Sequence, residues 1–414
     1  MSKGKMQQEP IVLFTGVQRL ARELRAMGLS SACLRELGEK VVNPWEVDHW
    51  IEYDPSDLES LCGLVKQWPQ KHRVAAVLNR RERRVPEHAF LNEALGMPGI
   101  RPWQARIFRD KLLLRKLLEE KAAHLNPPFR EVDPWRPGPP PMPFPFLLKP
   151  RNLFKSQLIT ACRTIGDWQE ALQRIPNSWQ ETQKRHGVIL EPTLVAEKEL
   201  QGELFSLDAL VSSEGEMIFT PPVVLNTGIQ WGLEDFHVSV RWVDPDLESN
   251  TAALLEEAVR DLIKAMELKA SPVHVDLVRL GSKVWILDAA PRVGGYRSEM
   301  MELAWGCSLD LLSLRLAMGE SVKWEPRWKK CVAVVELFPP RRGVLKKIEG
   351  IQEIRDLGSF YRMKQRVAPG EMVGWAVDGF RCPLFVVLVN ADMDILRRDV
   401  TRLRGLARME VCSP

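Results

Sequence analysis

The sequence predicts an α/β and α+β protein of two or three lobes sharing a cleft, and three observations lead there. At 414 residues the chain exceeds what one hydrophobic core normally organises. Its first hundred residues alternate short apolar runs with helical periodicities, the pattern of an open α/β layer. Nine prolines between Pro127 and Pro145 then separate that layer and a helical stretch from a second set of strands. Proline has no backbone donor and sits poorly inside a helix or a central strand, so this run reads as a linker or stiff loop.

Residues 11–16 read as a strand entering a helix over 17–27, where Val17, Leu20, Ala21 and Leu24 recur at helical spacing. Residues 74–78 form a buried-strand candidate and 89–95 a short helix. One long helix is indicated from 103 to about 121, with Phe108, Leu112, Leu113 and Leu117 as its apolar stripe. After the prolines, 146–150 reads as a strand, 168–175 as a helix and 187–190 as a strand, together a small α+β lobe from about 123 to 195. Further strands are expected at 205–211, 217–219, 273–278 and 284–287, with an amphipathic helix over 251–266 among them. A hairpin joins the last two strands, turning at Leu280-Gly281-Ser282-Lys283. A helix follows from Glu299 through Leu314, and residues 332–414 supply short strands and a terminal helix.

Apolar residues make up 45% of the chain and charged residues 27%, an ordinary globular balance. The net charge of +4 is too thinly spread to mark a nucleic-acid partner. The densest basic run, Arg80-Arg81-Glu82-Arg83-Arg84, is interrupted by an acid and reads as a solvated turn rather than a nucleic-acid groove. No window approaches the ~18 to 20 apolar residues of a membrane span, and the opening MSKGKMQQEP lacks the apolar centre of a signal peptide. Seven scattered cysteines form no Cys-x-x-Cys pair and seven histidines form no His-x-x-x-His pair. A cytoplasmic chain with reduced thiols is the expectation, and a bound metal would fall to carboxylates.

Asp276 and Asp288 are the acids that draw attention, one on each strand of the hairpin and each among apolar residues. A carboxylate in such a place is costly unless paired or bound to a cation. Two facing carboxylates suit magnesium bridging nucleotide phosphates, because that ion takes one or two carboxylates and fills its remaining positions with phosphate oxygens and water. Two solvent-facing acids on an alternating strand remain the plainer alternative. Arg292 follows where the strand gives way to Gly294-Gly295, and a guanidinium there could grip a carboxylate or an acyl phosphate through two parallel hydrogen bonds.

In order, these pieces resemble the ATP-grasp superfamily, and within it the carboxylate–amine ligases that include bacterial L-amino acid ligases and biotin carboxylase relatives. Val273-His274-Val275-Asp276 through Trp285-Ile286-Leu287-Asp288-Ala289-Ala290-Pro291-Arg292-Val293-Gly294-Gly295 is similar to the paired acidic strands of that family. Residues 304–311 look like its closing helix, 95–100 followed by 108–115 like the entry to its nucleotide-binding part, and 340–370 like its C-terminal lid. The resemblance implies a three-lobed ATP-grasp architecture: an N-terminal open α/β domain over 1–108, a central helix and small lobe over 109–195, and a large antiparallel-sheet lobe with a lid over 196–414. It further implies an ADP-forming ligase that uses ATP and Mg2+ to join a small-molecule carboxylate to an amine, with no nucleic acid or membrane partner, and with a homodimer as the assembly to look for.

Carried over by position, Lys149 and Lys111 would neutralise ATP phosphates, Asp276 and Asp288 would hold the metal, and Arg292 would stabilise the acyl phosphate. The adenine hinge falls either on 189–194, with Glu191 as its acid and Leu194 at its end, or on Ala196-Glu197-Lys198-Glu199-Leu200, with Glu197 as the acid. The chain departs from the family pattern twice. Ala290 replaces an asparagine that would offer a neutral oxygen to the metal. The phosphate-covering loop is Arg151-Asn152-Leu153-Phe154-Lys155-Ser156-Gln157-Leu158, where Ser156 matches the family but glycines are missing. Without glycine, backbone amides approach phosphate less freely, and Arg151 and Lys155 are the charges that could replace them.

Overall fold

The computed structural model describes residues 9–15, 20–39, 47–67, 72–136, 138–153, 157–186, 191–232 and 236–413. Four parallel strands open it, in the spatial order His49–Tyr53, Ser30–Glu36, Glu9–Thr15 and His72–Asn79. Side chains alternate between faces along a strand. Ile11, Leu13 and Leu34 therefore pack on Leu61, Val65 and Leu91 of the helices Leu58–Lys66 and Val85–Leu95. Val12, Cys33 and Ala76 face the opposite way, onto Leu20, Leu24 and Leu314. Both faces are covered, as parallel sheets require. The helix expected over 17–27 is described from Ala21 to Ala26, and 16–19 lie outside the described residues.

The single helix expected over 103–121 is two, Pro102–Arg109 and Lys111–Lys121. Asp110 leaves the helical region at φ −130°, and its carboxylate accepts from the amides of Leu112 at 2.9 Å and Leu113 at 3.3 Å. An aspartate placed to cap a new helix thus overrides a continuous apolar stripe.

The small lobe is an antiparallel sheet ordered Phe129–Val132, Leu194–Lys198, Phe146–Pro150 and Thr160–Cys162. Its first strand lies inside the segment read as a linker, where Pro128 and Pro134 flank the paired residues without interrupting them. Helix Ile165–His186 covers the sheet with Trp168, Ala171, Ile175 and Trp179. It continues through Pro176, well beyond the helix expected over 168–175. The strand expected at 187–190 lies outside the described residues.

A central antiparallel sheet of nine strands forms the large lobe. Its order is Lys283–Ala290, Ser271–Leu280, Glu203–Val211, Val223–Thr227, Val238–Val243, Cys331–Leu337, Leu384–Asn390 and Phe360–Gln365, with Met217–Phe219 paired onto Glu203–Val211. Helix Ser249–Ala265 packs Leu255, Val259 and Leu262 onto Leu207, Val275 and Ile286, in a core that continues into Phe108, Leu114 and Leu118. The helix expected from Glu299 to Leu314 is again two, Arg297–Trp305 and Leu309–Ala317. Gly306 closes the first at φ +74° and Ser308 caps the second. A three-stranded patch of Met372–Val373, Gly343–Glu349 and Arg408–Cys412 lies in the C-terminal part of the chain. No described helix is long and apolar enough to cross a membrane, and all seven cysteines are free thiols.

Candidate active site

The small lobe, the central sheet and the turn at residues 80–83 enclose a cleft of about 1220 Å³. The acidic hairpin forms one wall. Asp276 and Asp288 stand opposite each other across the paired strands, next to a register shift between Asp276 and Leu277, a bulge of the kind that re-aims side chains. Both carboxylates line the cleft, with side chains 38% and 41% exposed.

Behind Asp276 lies a buried relay that the sequence reading missed. His274 places Nε2 3.3 Å from Asp276 Oδ1 and Nδ1 3.1 Å from Asp208 Oδ2. Burial disfavours its imidazolium, but the two carboxylates outweigh burial and raise its pKa above the ordinary histidine value. Burial acts to raise Asp276, and His274, Arg297 and Arg292 more than reverse it. Asp208 also accepts from the Gly294 amide at 2.7 Å. Arg297, fully buried and drawn down to about 10 by desolvation, donates from Nε to Ser206 Oγ at 3.0 Å. Only the strand register, which sets His274 beside Asp208, exposes this relay.

Lys111 places Nζ 3.5 Å from Asp288 Oδ2 and donates to the Leu153 carbonyl at 2.7 Å. Lys149 donates to Glu197 Oε2 at 2.6 Å, and Arg115 donates from Nε to Glu197 Oε1 at 2.8 Å. Arg115 also donates to the carbonyls of Ile286 at 2.8 Å and Leu287 at 2.6 Å, tying the helix to the hairpin and to the small lobe at once. Burial alone would raise Glu197. The two cations overcome it and hold the carboxyl at about 2.

Of the two hinge registers, residues 197–200 line the cleft. Gly202, just beyond, passes so close to the hairpin that a Cβ would sit 2.4 Å from the Arg279 carbonyl, so only glycine fits there. Glu191 and Leu194 do not face the cleft. Leu194 is fully buried in the small-lobe core beside Phe146 and Leu148, and Glu191 is exposed, 3.8 Å from Arg151. Ser156 and Lys155 lie outside the described residues. Arg151, read from the sequence as a charge for phosphate, is instead a brace. Its guanidinium pairs with Asp110 and donates to Thr193 Oγ1 at 3.1 Å, because the capping carboxylate of the neighbouring helix is the nearer anion.

Arg292 donates from Nε to Glu82 Oε2 at 2.8 Å, and Arg109 donates to Glu82 Oε1 at 3.1 Å. Burial would raise Glu82, but the two guanidiniums hold it below its usual value. Arg80 donates to the Val293 carbonyl at 2.8 Å and stands 2.7 Å from Asp310. Arg84 is fully buried on Glu36, Glu39 and Glu87. The run 80–84 is therefore no solvated turn. It clips the N-terminal sheet to the loop after the acidic hairpin, and its arginines are placed by carboxylates distant in sequence.

Residues 142–299 match the family model for an ATP-grasp domain. The likeness to an ATP-grasp domain lies on this segment, which holds both strands of the acidic hairpin. No curated protein matches it in sequence. Among solved structures, L-amino acid ligase from Bacillus licheniformis superimposes with a TM-score of 0.82 at 17% identity, covering 99% of this chain and 100% of that one. N5-carboxyaminoimidazole synthetase from Staphylococcus aureus, complexed with ADP, gives 0.70 at 15% identity, over 95% and 96%. The biotin carboxylase domain dimer of Hydrogenobacter thermophilus 2-oxoglutarate carboxylase, in complex with MgADP, ADP and bicarbonate, gives 0.67 at 12% identity, over 98% and 91%. At these identities the likeness is one of fold, and the ATP-grasp fold extends over nearly the whole chain.

The residues present in the cleft fit magnesium held partly by nucleotide. Two carboxylates open to the cleft are hard oxygen donors, whereas Ala290 offers only a buried methyl group. Among the described residues no group of three His, Cys, Asp or Glu side chains is placed to hold a metal unaided. Phosphate oxygens or water would complete the shell.

Proposed function

We propose that the protein is an ATP-dependent, ADP-forming carboxylate–amine ligase acting on an amino acid or a related carboxylate. The observation that carries this reading is the convergence of Asp276, Asp288, Lys111, Lys149 and Arg292 on one cleft. Residues 197–200 would take the adenine along their backbone, and Lys111 and Lys149 would offset phosphate charge. Magnesium between Asp276 and Asp288 would supply charge neutralisation across the transferring phosphoryl group. The substrate carboxylate takes the γ-phosphoryl of ATP and becomes an acyl phosphate. An amine then attacks its carbonyl, the C–N bond forms and phosphate leaves. Arg292 is suited to the charge that develops there, through a guanidinium already fixed in direction by Glu82. A cytoplasmic setting belongs to the same reading and is supported by the seven free thiols.

A second reading, a nucleotide-binding ATP-grasp protein that has lost turnover, is favoured by Ala290 and by Lys149 being held on Glu197. Magnesium-dependent ADP release with a panel of amino acids, alone and in pairs, separates the two. Release that requires two substrates and yields an amide supports the ligase. Calorimetric binding of ATP with no release for any pair would overturn it.

A further inference from the structure

A second, much smaller cavity, of about 20 Å³, lies where the N-terminal sheet, the central sheet and helix Leu309–Ala317 meet. Asn79 ends strand His72–Asn79 on one wall, and His88 of helix Val85–Leu95 stands beside it. Asp310 and Ser313 close the space from helix Leu309–Ala317. Arg80 and Val293 line both this cavity and the active-site cleft, so the loop that carries Arg292 separates the two.

Asn79, His88, Asp310 and Ser313 are each more than nine-tenths buried. Among the described residues, Asn79 Nδ2, His88 Nδ1, Asp310 Oδ1 and Ser313 Oγ find no hydrogen-bond partner. Buried polar atoms are nearly always hydrogen-bonded, so four such atoms on residues around one small cavity call for a shared partner.

Their chemistry specifies that partner. His88 Nε2 lies 3.2 Å from the Val77 carbonyl, which can only accept. The ring proton therefore sits on Nε2, and Nδ1 presents a lone pair. Burial pushes this imidazole down to about 4, which leaves the ring neutral at neutral pH. Asn79 Oδ1 accepts from the Arg81 amide at 2.9 Å, so its amino group is the end left to donate. Arg80 Nε stands 2.7 Å from Asp310 Oδ1 and balances its charge, but is not aligned to donate to it. The shared partner must donate to His88 and Asp310, accept from Asn79, and do either with Ser313. A simple anion cannot donate, and a metal ion or ammonium cannot accept from the Asn79 amino group. Water supplies two donors and two acceptors, and about 10 to 15 Å³ of such space is enough for one molecule.

We propose that this cavity binds a single ordered water, hydrogen-bonded to Asn79, His88, Asp310 and Ser313, which fastens the N-terminal sheet to helix Leu309–Ala317 and props the loop of Arg292 from behind. The site is independent of the reaction that the cleft carries out.

Crystals of the full chain, grown without potassium or ammonium and refined at high resolution, test it. One solvent peak should lie about 2.7 to 3.2 Å from at least three of the four atoms. No peak, side chains turned so that the four atoms satisfy one another, or an anomalous peak there after soaking in rubidium chloride would each overturn the proposal. Ser313→Val adds a measurement in solution, because serine and valine have similar helix propensities and valine brings apolar bulk that a dry cavity would accept. Expelling a water from its partners lowers stability instead. The unfolding equilibrium in urea should shift towards the unfolded chain by about 10- to 100-fold, and the peak should vanish from crystals of the variant. A variant more stable than the parent would mean a dry cavity, and a peak unchanged in the variant would mean a water held elsewhere; either result ends the proposal.

Discussion

Glu197, almost fully buried at the cleft wall, holds two cations, Arg115 and Lys149. Glu197→Gln leaves both without a counter-charge, and breaking a buried pair from one side costs about 3 to 5 kcal/mol, which urea unfolding should read directly. The folded value of about 2 lies below the ordinary 4.5. This contribution is therefore present above pH 4.5 and is lost as the pH falls towards 2. The variant should lack that part of the acid limb, and an unchanged acid profile would contradict the assignment. Asp288→Asn keeps size but removes an anionic ligand, so ADP formation should vanish with unfolding midpoints unchanged. Turnover surviving at saturating magnesium would refute the metal assignment. Asp276→Asn should also remove activity, while loosening His274 from its second carboxylate. For Arg292 the conservative change is the informative one, because truncation would leave buried Glu82 with Arg109 alone. Arg292→Lys keeps charge and loses the fork. ATP affinity should shift by less than about 1 kcal/mol, while amide formation falls by about 100-fold or more. Poor ATP binding with intact ligation would move this residue to the nucleotide.

Asp110 shows how one side chain sets the geometry of a whole segment. It caps helix Lys111–Lys121 and receives the guanidinium of Arg151. Asp110→Ala should cost about 1 to 2 kcal/mol for the cap alone, and should raise the apparent KM for ATP because Lys111 begins that helix. A KM unchanged despite the stability loss would separate the cap from the nucleotide site. This residue also marks the limit of what the sequence displays. Strands 205–211, 273–278 and 284–287 were legible because short apolar, β-branched runs bounded by turn residues impose a period of two, and the hairpin turn was legible through Gly281. The helix breaks at Asp110 and Gly306 were not, since a cap and a left-handed glycine act on backbone geometry without altering the apolar stripe. Pro176 misled in the opposite direction, because the face of Trp168, Ala171, Ile175 and Trp179 packs well enough to carry the helix past it. The candidate site divides similarly. Residues on the hairpin and strand ends stood out by local pattern, whereas Asp208 and Glu82 act through partners set beside them by sheet register and by the packing of the N-terminal sheet.

Across the molecule, helix Val85–Leu95 packs Leu91 on the N-terminal sheet and Val85 and Ala89 in the apolar core of the central sheet, and the clip at residues 80–84 adds polar ties. Glu82 is the shared point of that clip, since Arg292 and Arg109 both bind it. An acyl phosphate that draws Arg292 towards itself must compete with this carboxylate, and coupling of two equilibria is reciprocal. On the proposed ligase reaction, filling the reaction centre would weaken the grip on the N-terminal sheet, and slackening that sheet would release the guanidinium. Amide hydrogens of residues 82–85 should then exchange faster when the site is occupied, so that a segment well removed in sequence from the acidic hairpin signals, from outside the reaction, whether a substrate is in place.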